Sequence, residues 1–305
     1  MIQPETFYLR DPRFSIVSRR NTSWISLGEG EKRRPIATYD DARLAALMPY
    51  VTVPITGKDL RMRLGPRTDL LALVPKLVHD GLLLTGTREA LMEHCKIIVA
   101  PPAERVGTMV LGITGGIYAS LLMPFLYQLP STLCDKLEVV VTEGAKNFIN
   151  PGLFKFLGHM GIRVFEGTYD SHDGVHVPHV ELARTAELVV IFPATAHSLS
   201  RFAQGECSDL ISLVVTATRA PVVMLPVMNV LMWTNPSVAR NVERLRSDGH
   251  YIVEPGMVAA ISRRELDLMY GGPGVRWDRA EQLISLLSSI VGTHRRAMGI
   301  PPGRK

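Results

Sequence analysis

The first ninety residues alternate apolar and polar positions in two short runs and then change to a helical pattern. Residues 14–18 and 23–27 show the alternation of β-strands on either side of a turn. A helix is predicted over residues 42–48, opened by two aspartates and ended by a proline, and two more short helices follow it. Strands followed by three helices predict a small winged-helix-like α+β domain over residues 1–90, with residues 91–105 as a linker.

From residue 106 onward, short apolar runs alternate with amphipathic segments. The runs have the length and composition of buried strands, and they lie at residues 108–113, 137–141, 188–192, 222–226 and 251–253. The segments between them have helical spacing, and a long closing helix is predicted over residues 277–292. Apolar strands separated by helices are typical of a parallel sheet covered on both faces. The pattern therefore predicts a doubly wound, Rossmann-like α/β domain over residues 106–305.

Charge and composition narrow the class of protein. The 305 residues carry a net charge of +5, of which residues 1–105 contribute +4 (16 Lys/Arg against 12 Asp/Glu) and the rest +1. A near-neutral main body argues against nucleic acid as its partner. Three cysteines without a CxxC pair exclude a disulfide framework or a cysteine zinc site. The N-terminus lacks the apolar segment of a signal peptide, and the longest apolar runs, about ten residues, are too short to span a membrane. We expect a soluble cytoplasmic protein.

Two segments follow predicted strands in the way that ligand-binding loops do in open α/β sheets. The first contains Gly112, Thr114, Gly115 and Gly116, and small residues between a strand and a helix let backbone amides approach a phosphate. A tight turn explains the same glycines. Thr142 follows the next strand, where it is either a phosphate ligand or a helix cap.

Two further segments follow apolar strands and carry more specific motifs. One is the run Pro193, Ala194, Thr195, Ala196, His197, Ser198; the other contains Pro226, Met228, Asn229, Met232 and Trp233. Taken singly, Asn229 is explained as a helix cap and the methionines as core. Together, these runs resemble the PASANT and PxMNxxMW motifs of the homo-oligomeric flavin-containing cysteine decarboxylases. The glycine-rich turn is similar to the GITGS phosphate turn of that family. The resemblance covers about residues 106–255 and does not extend to residues 1–90.

The resemblance implies FMN as cofactor and assigns roles to individual residues. Its phosphate would lie at Gly112 and Thr114–Gly116 with Thr142, and its flavin at Pro193–Ser198 and Met228. His179 begins a predicted helix fourteen residues before Pro193, as the catalytic base does in the family. A capping or surface histidine is the alternative for His179. Asn229 would anchor the substrate carboxylate, and the remaining substrate contacts would be Asn150, Met232, Trp233, Gly271, Gly272 and Gly274.

Two positions depart from the family pattern. Gly116 replaces a serine, which removes a hydroxyl donor but keeps the backbone amide. His197 replaces the asparagine of PASANT, either as a substitute hydrogen-bond donor or as a second acid/base. His172 and His176 lie near His179, but without a carboxylate partner they do not predict a metal site.

The family has two branches, and the sequence favours one of them. The pantothenate branch uses a cysteine in a C-terminal substrate clamp, whereas the glycine-rich segment at residues 256–276 has none, and no cysteine follows Cys207. The run that ends at Asn150 is similar to the peptidyl branch. The resemblance therefore implies FMN-dependent oxidative decarboxylation of the C-terminal cysteine of a ribosomally synthesised precursor peptide. The product would be an aminoenethiol, on the way to an aminovinyl-cysteine, and the enzyme a homo-oligomer, a trimer or a multiple of it. A non-catalytic flavoprotein platform and a phosphopantothenoylcysteine-decarboxylase-like enzyme are the alternatives.

The basic N-terminal domain is weakly similar to the leader-recognition elements of peptide-modifying enzymes. Such modules add a leader peptide to an exposed sheet edge, and an acidic leader would be attracted by Arg13, Arg19, Arg20, Lys32, Arg33 and Arg34. A charged strand edge that opposes aggregation explains the same residues. A DNA-binding winged helix fits less well, because aspartates stand at the predicted helix starts at Asp40, Asp41, Asp59 and Asp69.

Overall fold

The N-terminal part of the chain contains six strands and several short helices, and three of the strands form a small sheet of their own. The computed structural model describes residues 2–11, 14–19, 22–27, 35–39, 42–51, 54–93, 104–168, 177–262, 265–271 and 280–301. The first strands are β1 Phe7–Arg10, β2 Phe14–Arg19, β3 Thr22–Leu27, β4 Pro35–Tyr39, β5 Ile55–Thr56 and β6 Leu83–Gly86. The helices are α1 Ala42–Leu47, α2 Gly57–Leu64, α3 Thr68–Leu71, α4 Val74–His79 and α5 Arg88–Glu93, with a 3₁₀ turn at Met48–Tyr50.

This N-terminal unit has its own core. Strand β1 pairs antiparallel with both β5 and β6, and leucines of α1, α2 and α4 are buried against them. Helix α2 begins where Thr56 accepts a hydrogen bond from the backbone N–H of Asp59 and donates one to its carboxylate at 2.7 Å. The predicted division of the chain at residues 90 and 105 stays a prediction.

The rest of the chain alternates strands and helices as predicted. Its strands are β7 Val106–Ile113, β8 Cys134–Val141, β9 Arg163–Phe165, β10 Leu188–Ala194, β11 Val222–Pro226, β12 Met228–Asn229, β13 Tyr251–Val253, β14 Gly256–Ser262 and β15 Glu265–Gly271. Its helices are α6 Met123–Thr132, α7 Glu143–Lys146, α8 Pro151–His159, α9 Pro178–Thr185, α10 Ala196–Gln204, α11 Leu210–Ala217, α12 Val230–Trp233, α13 Pro236–Ser247 and α14 Ala280–Ala297, with a 3₁₀ turn at Ile117–Leu121.

Six parallel strands form the centre of the large sheet, in the order β13-β11-β10-β7-β8-β9. The chain runs outward from β7 to β9, returns, and then builds the other half from β10 to β13. One apolar cluster joins the sheet to α6, α8 and α14, and a second joins its opposite face to α10, α11 and α13. The doubly wound prediction is confirmed, and the strand order reverses between β7 and β10.

Strands β2, β3 and β4 extend this sheet beyond its parallel part. Strand β2 pairs antiparallel with β13, with Val17 opposite Val253, and β3 and β4 continue outward. The alternation at residues 14–27 predicted the hairpin of β2 and β3 but not its partner. A strand edge is available to any compatible strand, so sequence alone does not choose between sheets.

Prolines explain the helix boundaries that the sequence placed only approximately. The segment of helical spacing that follows the glycine-rich turn is divided into the 3₁₀ turn and α6, whose first turn contains a proline. Pro151 likewise begins α8, with Asn150 as its N-cap. Proline lacks an N–H and restricts the preceding residue, so it fits best in the first turn of a helix; Pro130, near the end of α6, is an exception.

One carboxylate is buried inside the large sheet. Glu138 of β8 is fully buried, and its carboxylate receives two guanidinium nitrogens of Arg163 from β9, Nη2 at 2.6 Å and Nε at 2.9 Å. Lys136 Nζ lies 2.7 Å from the same group. The guanidinium also contacts Glu181 Oε1 of α9 at 3.4 Å. A buried charge is tolerated only with such compensation, so this network links β8, β9 and α9.

No helix in the described part of the chain is long and apolar enough to cross a membrane. No group of three or more metal-ligating side chains occurs among the residues with described positions. His172 and His176 lie outside them.

Candidate functional site

The candidate site lies where the strand order reverses, beyond the carboxyl ends of β7 and β10. Thr114, at the end of β7, is buried. Its hydroxyl donates to the Pro193 carbonyl near the end of β10 at 2.6 Å, which joins the two strand ends. The Thr195 N–H donates back to the Thr114 hydroxyl at 3.3 Å. Because a threonine has one hydroxyl proton, Thr114 uses it to hold the two turns together. Any contribution of Thr114 to anion binding therefore falls to its backbone amide.

Two glycines of the turn are fixed by close approach. A Cβ on Gly115 would lie 2.8 Å from the carbonyl carbon of Gly144, and one on Gly112 would lie 2.5 Å from Ile211 Cγ1. A Cβ on Gly116 would meet Thr195 Cγ2 at 3.5 Å, which is ordinary contact. The turn thus requires glycine at Gly112 and Gly115, whereas a serine fits at Gly116.

The N-terminus of α10 forms the second side of the site. Thr195 is its N-cap and accepts from the backbone N–H of Ser198 at 3.2 Å, and the two hydroxyls lie 2.9 Å apart. Pro193, Ala194 and Ser198 are buried, and Ala196 is half-buried. The unpaired amides at the start of this nine-residue helix favour an anion. His197 is exposed and is not part of this hydroxyl pair.

The motif around Asn229 forms the third side. The position of this motif is fixed by the Val227 N–H, which donates to the Ala194 carbonyl at 3.0 Å. This bond joins the end of β11 to the end of β10. Asn229 is exposed, and its Oδ1 accepts from the Met232 N–H at 2.9 Å as the N-cap of α12. The cap holds the oxygen and leaves the amide Nδ2 as a hydrogen-bond donor. Asn229 is therefore a cap, and its other end has the chemistry of a carboxylate anchor.

The methionines and the tryptophan of this motif occupy different environments. Met228 is buried beside β15, where it pairs with Tyr270. Trp233 is buried at the end of α12, whereas the side chain of Met232 is 44% exposed. Of the predicted substrate contacts, Met232 is thus open to solvent and Trp233 is part of the packing.

His179 and Asn150 stand at the starts of helices that lead back into the sheet. Helix α9 returns to the beginning of β10 and α8 to the beginning of β9, so both helices begin at the carboxyl edge of the strands. His179 is half-buried in the first turn of α9. Asn150 is exposed and accepts from the Gly152 N–H at 2.8 Å. The structure places His179 at the same edge of the sheet as Thr114, Thr195 and Asn229, and among the described residues no hydrogen bond joins it to them.

The predicted clamp is a hairpin next to Asn229. Strands β14 and β15 pair along their length, with Gly256 opposite Gly271, and Asn229 pairs with Met269 of β15. Gly272 and Gly274 lie outside the described residues. The part of the clamp that is described thus begins beside the proposed carboxylate anchor.

Sequence reasoning did not identify three contributors to the site. The backbone of Gly144 lies against Gly115, and the side chain of Ile211 lies against Gly112. Tyr118 follows the glycine turn and is buried, and burial raises the pKa of its phenol, so it stays a neutral hydroxyl at physiological pH. In the sequence, the only signal for this role of Gly144 is that a glycine stands two residues after Thr142. Thr142 itself donates its hydroxyl to the Ile113 carbonyl at 3.2 Å and makes no side-chain cap.

Known proteins resemble this chain over its second part. A family model described as Flavoprotein matches residues 83–270. The coenzyme A biosynthesis bifunctional protein CoaBC of Mycolicibacterium smegmatis is 33% identical over 194 residues, covering 63% of this chain and 43% of that protein. The mersacidin decarboxylase of a Bacillus species is 32% identical over 154 residues, covering 50% of this chain and 75% of that enzyme. The crystal structure of the FMN-dependent cysteine decarboxylase SpaF is 28% identical, with a TM-score of 0.47, covering 60% of this chain and 97% of SpaF. The chain thus spans less than half the length of the CoaBC protein.

Proposed function

Because the chain belongs to the flavoprotein family, we propose that it is an FMN-dependent enzyme that oxidatively decarboxylates the C-terminal cysteine of a ribosomally synthesised precursor peptide. The product is an aminoenethiol, which a later reaction can close into an aminovinyl-cysteine ring. One observation carries the proposal: the glycine turn, the start of α10 and the Asn229 loop meet at the point where the strand order reverses, joined by the Thr114 and Val227 hydrogen bonds. This is the position of ligands in doubly wound sheets.

The residues at this point fit FMN. Gly115 lies so close to Gly144 that a side chain is excluded, and the Gly116 N–H donates to the Thr114 carbonyl at 2.9 Å, so the amides of the turn that are left for a phosphate are those of Thr114 and Gly115. The start of α10 adds a second set of amides. The phosphate would be held by Thr114–Gly116 and the loop at Thr142, and the ring by Pro193–Ser198 and Met228. When bound, FMN supplies the two-electron oxidation that activates the cysteine for loss of CO₂.

The turn gives a prediction that separates its two glycines. We expect Gly115→Ala to weaken FMN binding about tenfold or more, because the new methyl group displaces the backbone of the Gly144 loop. Gly116→Ser is the matched control: its Cβ meets only ordinary contacts, and it restores the hydroxyl usual in the family. Titration of FMN fluorescence with each apoprotein measures both. Unchanged affinity in Gly115→Ala would contradict the assignment of the phosphate turn.

Two side chains of the protein have the chemistry for the substrate. Histidine is suited to accept a proton at neutral pH, and His179 would take the proton of the cysteine thiol. Asn229 Nδ2 would donate to the substrate carboxylate, its orientation fixed by the bond from Met232 N–H to Oδ1. A neutral donor holds the carboxylate without a full positive charge that would oppose its departure as CO₂.

Mass spectrometry of C-terminal cysteine peptides, incubated with the FMN-loaded protein, tests the reaction. Oxidative decarboxylation predicts a loss of about 46 Da, CO₂ and two hydrogens. The same peptides ending in serine should remain unchanged. A loss of about 44 Da from phosphopantothenoylcysteine, with no change in any peptide, would instead support the second candidate, which the similarity to CoaBC favours. The absence of cysteine after Cys207 argues against it. No reaction with either substrate would support the remaining alternative, a non-catalytic flavoprotein platform.

The N-terminal unit is proposed to bind the leader part of the precursor. Strand β6 is an edge of the small sheet, and a cavity of about 280 Å³ lies between this sheet and α4, lined by Tyr8, Thr85, Val74 and Val78 among others. An extended peptide can add to such an edge beside an apolar groove. The basic side chains proposed to attract an acidic leader lie outside the part of the chain whose side chains are described: Arg13, Arg19, Arg20, Lys32, Arg33 and Arg34.

Because β2 pairs with β13, removing residues 1–90 would also remove strands from the large sheet.

A second copy of the chain is proposed to cover apolar side chains near the site. Ile117 after the glycine turn is 54% exposed, Leu231 of α12 is 80% exposed and Met232 is 44% exposed. Large apolar side chains grouped at a site are typical of an interface. A trimer or a multiple of it would place this surface between copies.

A further inference from the structure

A second cavity, of about 320 Å³, lies between the N-terminal helices and the α12–α13 region. Its lining includes Ala45 of α1 and Tyr50 on one side, and Trp233 and Val242 on the other. None of its lining residues belongs to the glycine turn or to the start of α10. The cavity is therefore separate from the proposed cofactor site.

The walls of this cavity are apolar and its rim is cationic. Ala45, Trp233 and Val242 are buried, whereas Arg67 and Arg240 are exposed. Arg67 donates to the Tyr50 hydroxyl at 3.3 Å and Arg240 to the Ser237 hydroxyl at 3.1 Å. Neither guanidinium is within ion-pair distance of a carboxylate in the part of the chain that the structure describes. Their positive charges are thus available to a ligand.

The other charged side chains that line the cavity are one arginine and two glutamates, so the lining as a whole carries a net charge of +1. Arg246 forms ion pairs with Glu243, at 3.2 Å, and with Glu254, which is buried. A guanidinium held in this way contributes little attraction to an incoming anion. Recognition of an anion in this cavity therefore depends on Arg67 and Arg240, and recognition of an apolar group depends on the walls.

The cavity is connected to the proposed active site by one short helix. Trp233 lines the cavity at the end of α12, and Asn229 caps the beginning of the same four-residue helix. The opposite wall, from Ala45 to Arg67, precedes residue 83, where the match to the family model begins. The cavity thus combines the substrate loop of the flavoprotein fold with a part of the chain outside that fold.

We propose that this cavity binds a segment of the precursor peptide in which an apolar side chain stands next to an acidic one. The proposal rests on the proposed function, since it identifies a second contact of the same substrate. The volume is at the lower end for ligand pockets and fits one or two side chains. The apolar side chain packs against Trp233 and Val242, and the carboxylate bonds to Arg67 or Arg240, because guanidinium and carboxylate match in geometry. A peptide held here lies beside the loop that receives its C-terminus.

Fluorescence anisotropy with a labelled peptide tests the site without the decarboxylation reaction. The probe is a fluorescein-labelled hexapeptide of alternating leucine and aspartate, which has no cysteine, and the partner is the FMN-loaded full chain. We expect Arg67→Glu and Arg240→Glu each to weaken binding about tenfold, and Ala46→Trp, which fills the cavity, to weaken it without a charge change. Arg219→Glu is the matched control, because Arg219 is an exposed arginine away from the cavity. The same peptide with lysine for aspartate should bind less well to the wild type and better to Arg67→Glu.

Three results would overturn the proposal. The first is no binding of the acidic peptide to the wild type. The second is equal binding to the wild type and to all cavity variants. The third is a change of elution volume in Arg240→Glu without a change in peptide affinity, which would assign the cavity to contacts between copies of the chain. Circular dichroism and FMN content confirm that each variant is folded.

Because the probe has no cysteine, its binding is measured independently of the decarboxylation assay, and failure of that assay would not contradict binding at the cavity. Normal turnover without probe binding would reject the cavity alone.

Discussion

Replacement of His179 by asparagine should lower the rate of decarboxylation about 10²- to 10⁴-fold, the usual contribution of a general base. His179 stands half-buried at the start of α9, on the carboxyl edge of the sheet where the glycine turn and the Asn229 loop also lie. Asparagine keeps a polar side chain of similar reach but cannot accept the thiol proton. Because no described bond joins His179 to the glycine turn, FMN content should stay at the wild-type level. Single-turnover mass spectrometry with a C-terminal cysteine peptide measures the rate, and flavin absorbance measures the cofactor.

His197→Asn is the matched control for this experiment. His197 is exposed on α10 and takes no part in the hydroxyl pair of Thr195 and Ser198, and asparagine is the residue usual in the family motif. We expect its rate to stay close to that of the wild type. If His197→Asn loses activity and His179→Asn keeps it, the base is His197 and the assignment made from spacing is wrong.

The position of the candidate site could be predicted from the sequence because local motifs determine it. Strand ends are marked by apolar runs, and in a doubly wound sheet these ends meet at one edge. The turn at Gly112–Gly116, the start of α10 and the Asn229 loop each follow a strand that was predicted, and the structure brings them together. The start of α8 was not predicted in this way: the helix begins at Pro151 with Asn150 as its N-cap, and Asn150 was expected to be a substrate contact.

The parts that could not be predicted depend on contacts between distant residues. Thr114 was expected to hold phosphate, yet its hydroxyl bonds to Pro193, which is 79 residues away. The role of Gly144 appears only when its loop lies against Gly115. The pairing of β2 with β13 joins segments more than 200 residues apart, and no local pattern encodes that choice. Periodicity reports the environment of one segment, not the identity of its neighbour.

The buried carboxylate of Glu138 gives the largest expected effect on stability. Its two bonds from Arg163 compensate a charge that has no access to solvent. The hydrogen bonds that Arg163 donates to the Glu138 carboxylate raise the pKa of Arg163, so the guanidinium stays charged. Lys136 contacts the same carboxylate, but its side chain is 49% exposed, and it cannot replace a bidentate partner. Loss of Arg163 therefore leaves a poorly compensated charge inside the sheet.

We expect Arg163→Met to lower the free energy of unfolding by about 3 kcal/mol, the range measured when one partner of a buried pair is removed. Urea denaturation followed by circular dichroism measures this change. Arg244→Met is the control: Arg244 is 68% exposed, its ion pair with Asp248 spans 3.8 Å, and its loss should cost at most about 0.5 kcal/mol. The double variant Glu138→Gln/Arg163→Met should recover part of the lost stability, because it removes the buried charge as well as its partner. If the double variant is no more stable than Arg163→Met alone, the cost lies in lost packing of Arg163 over Phe165, 5.6 Å from its ring, and not in the uncompensated carboxylate.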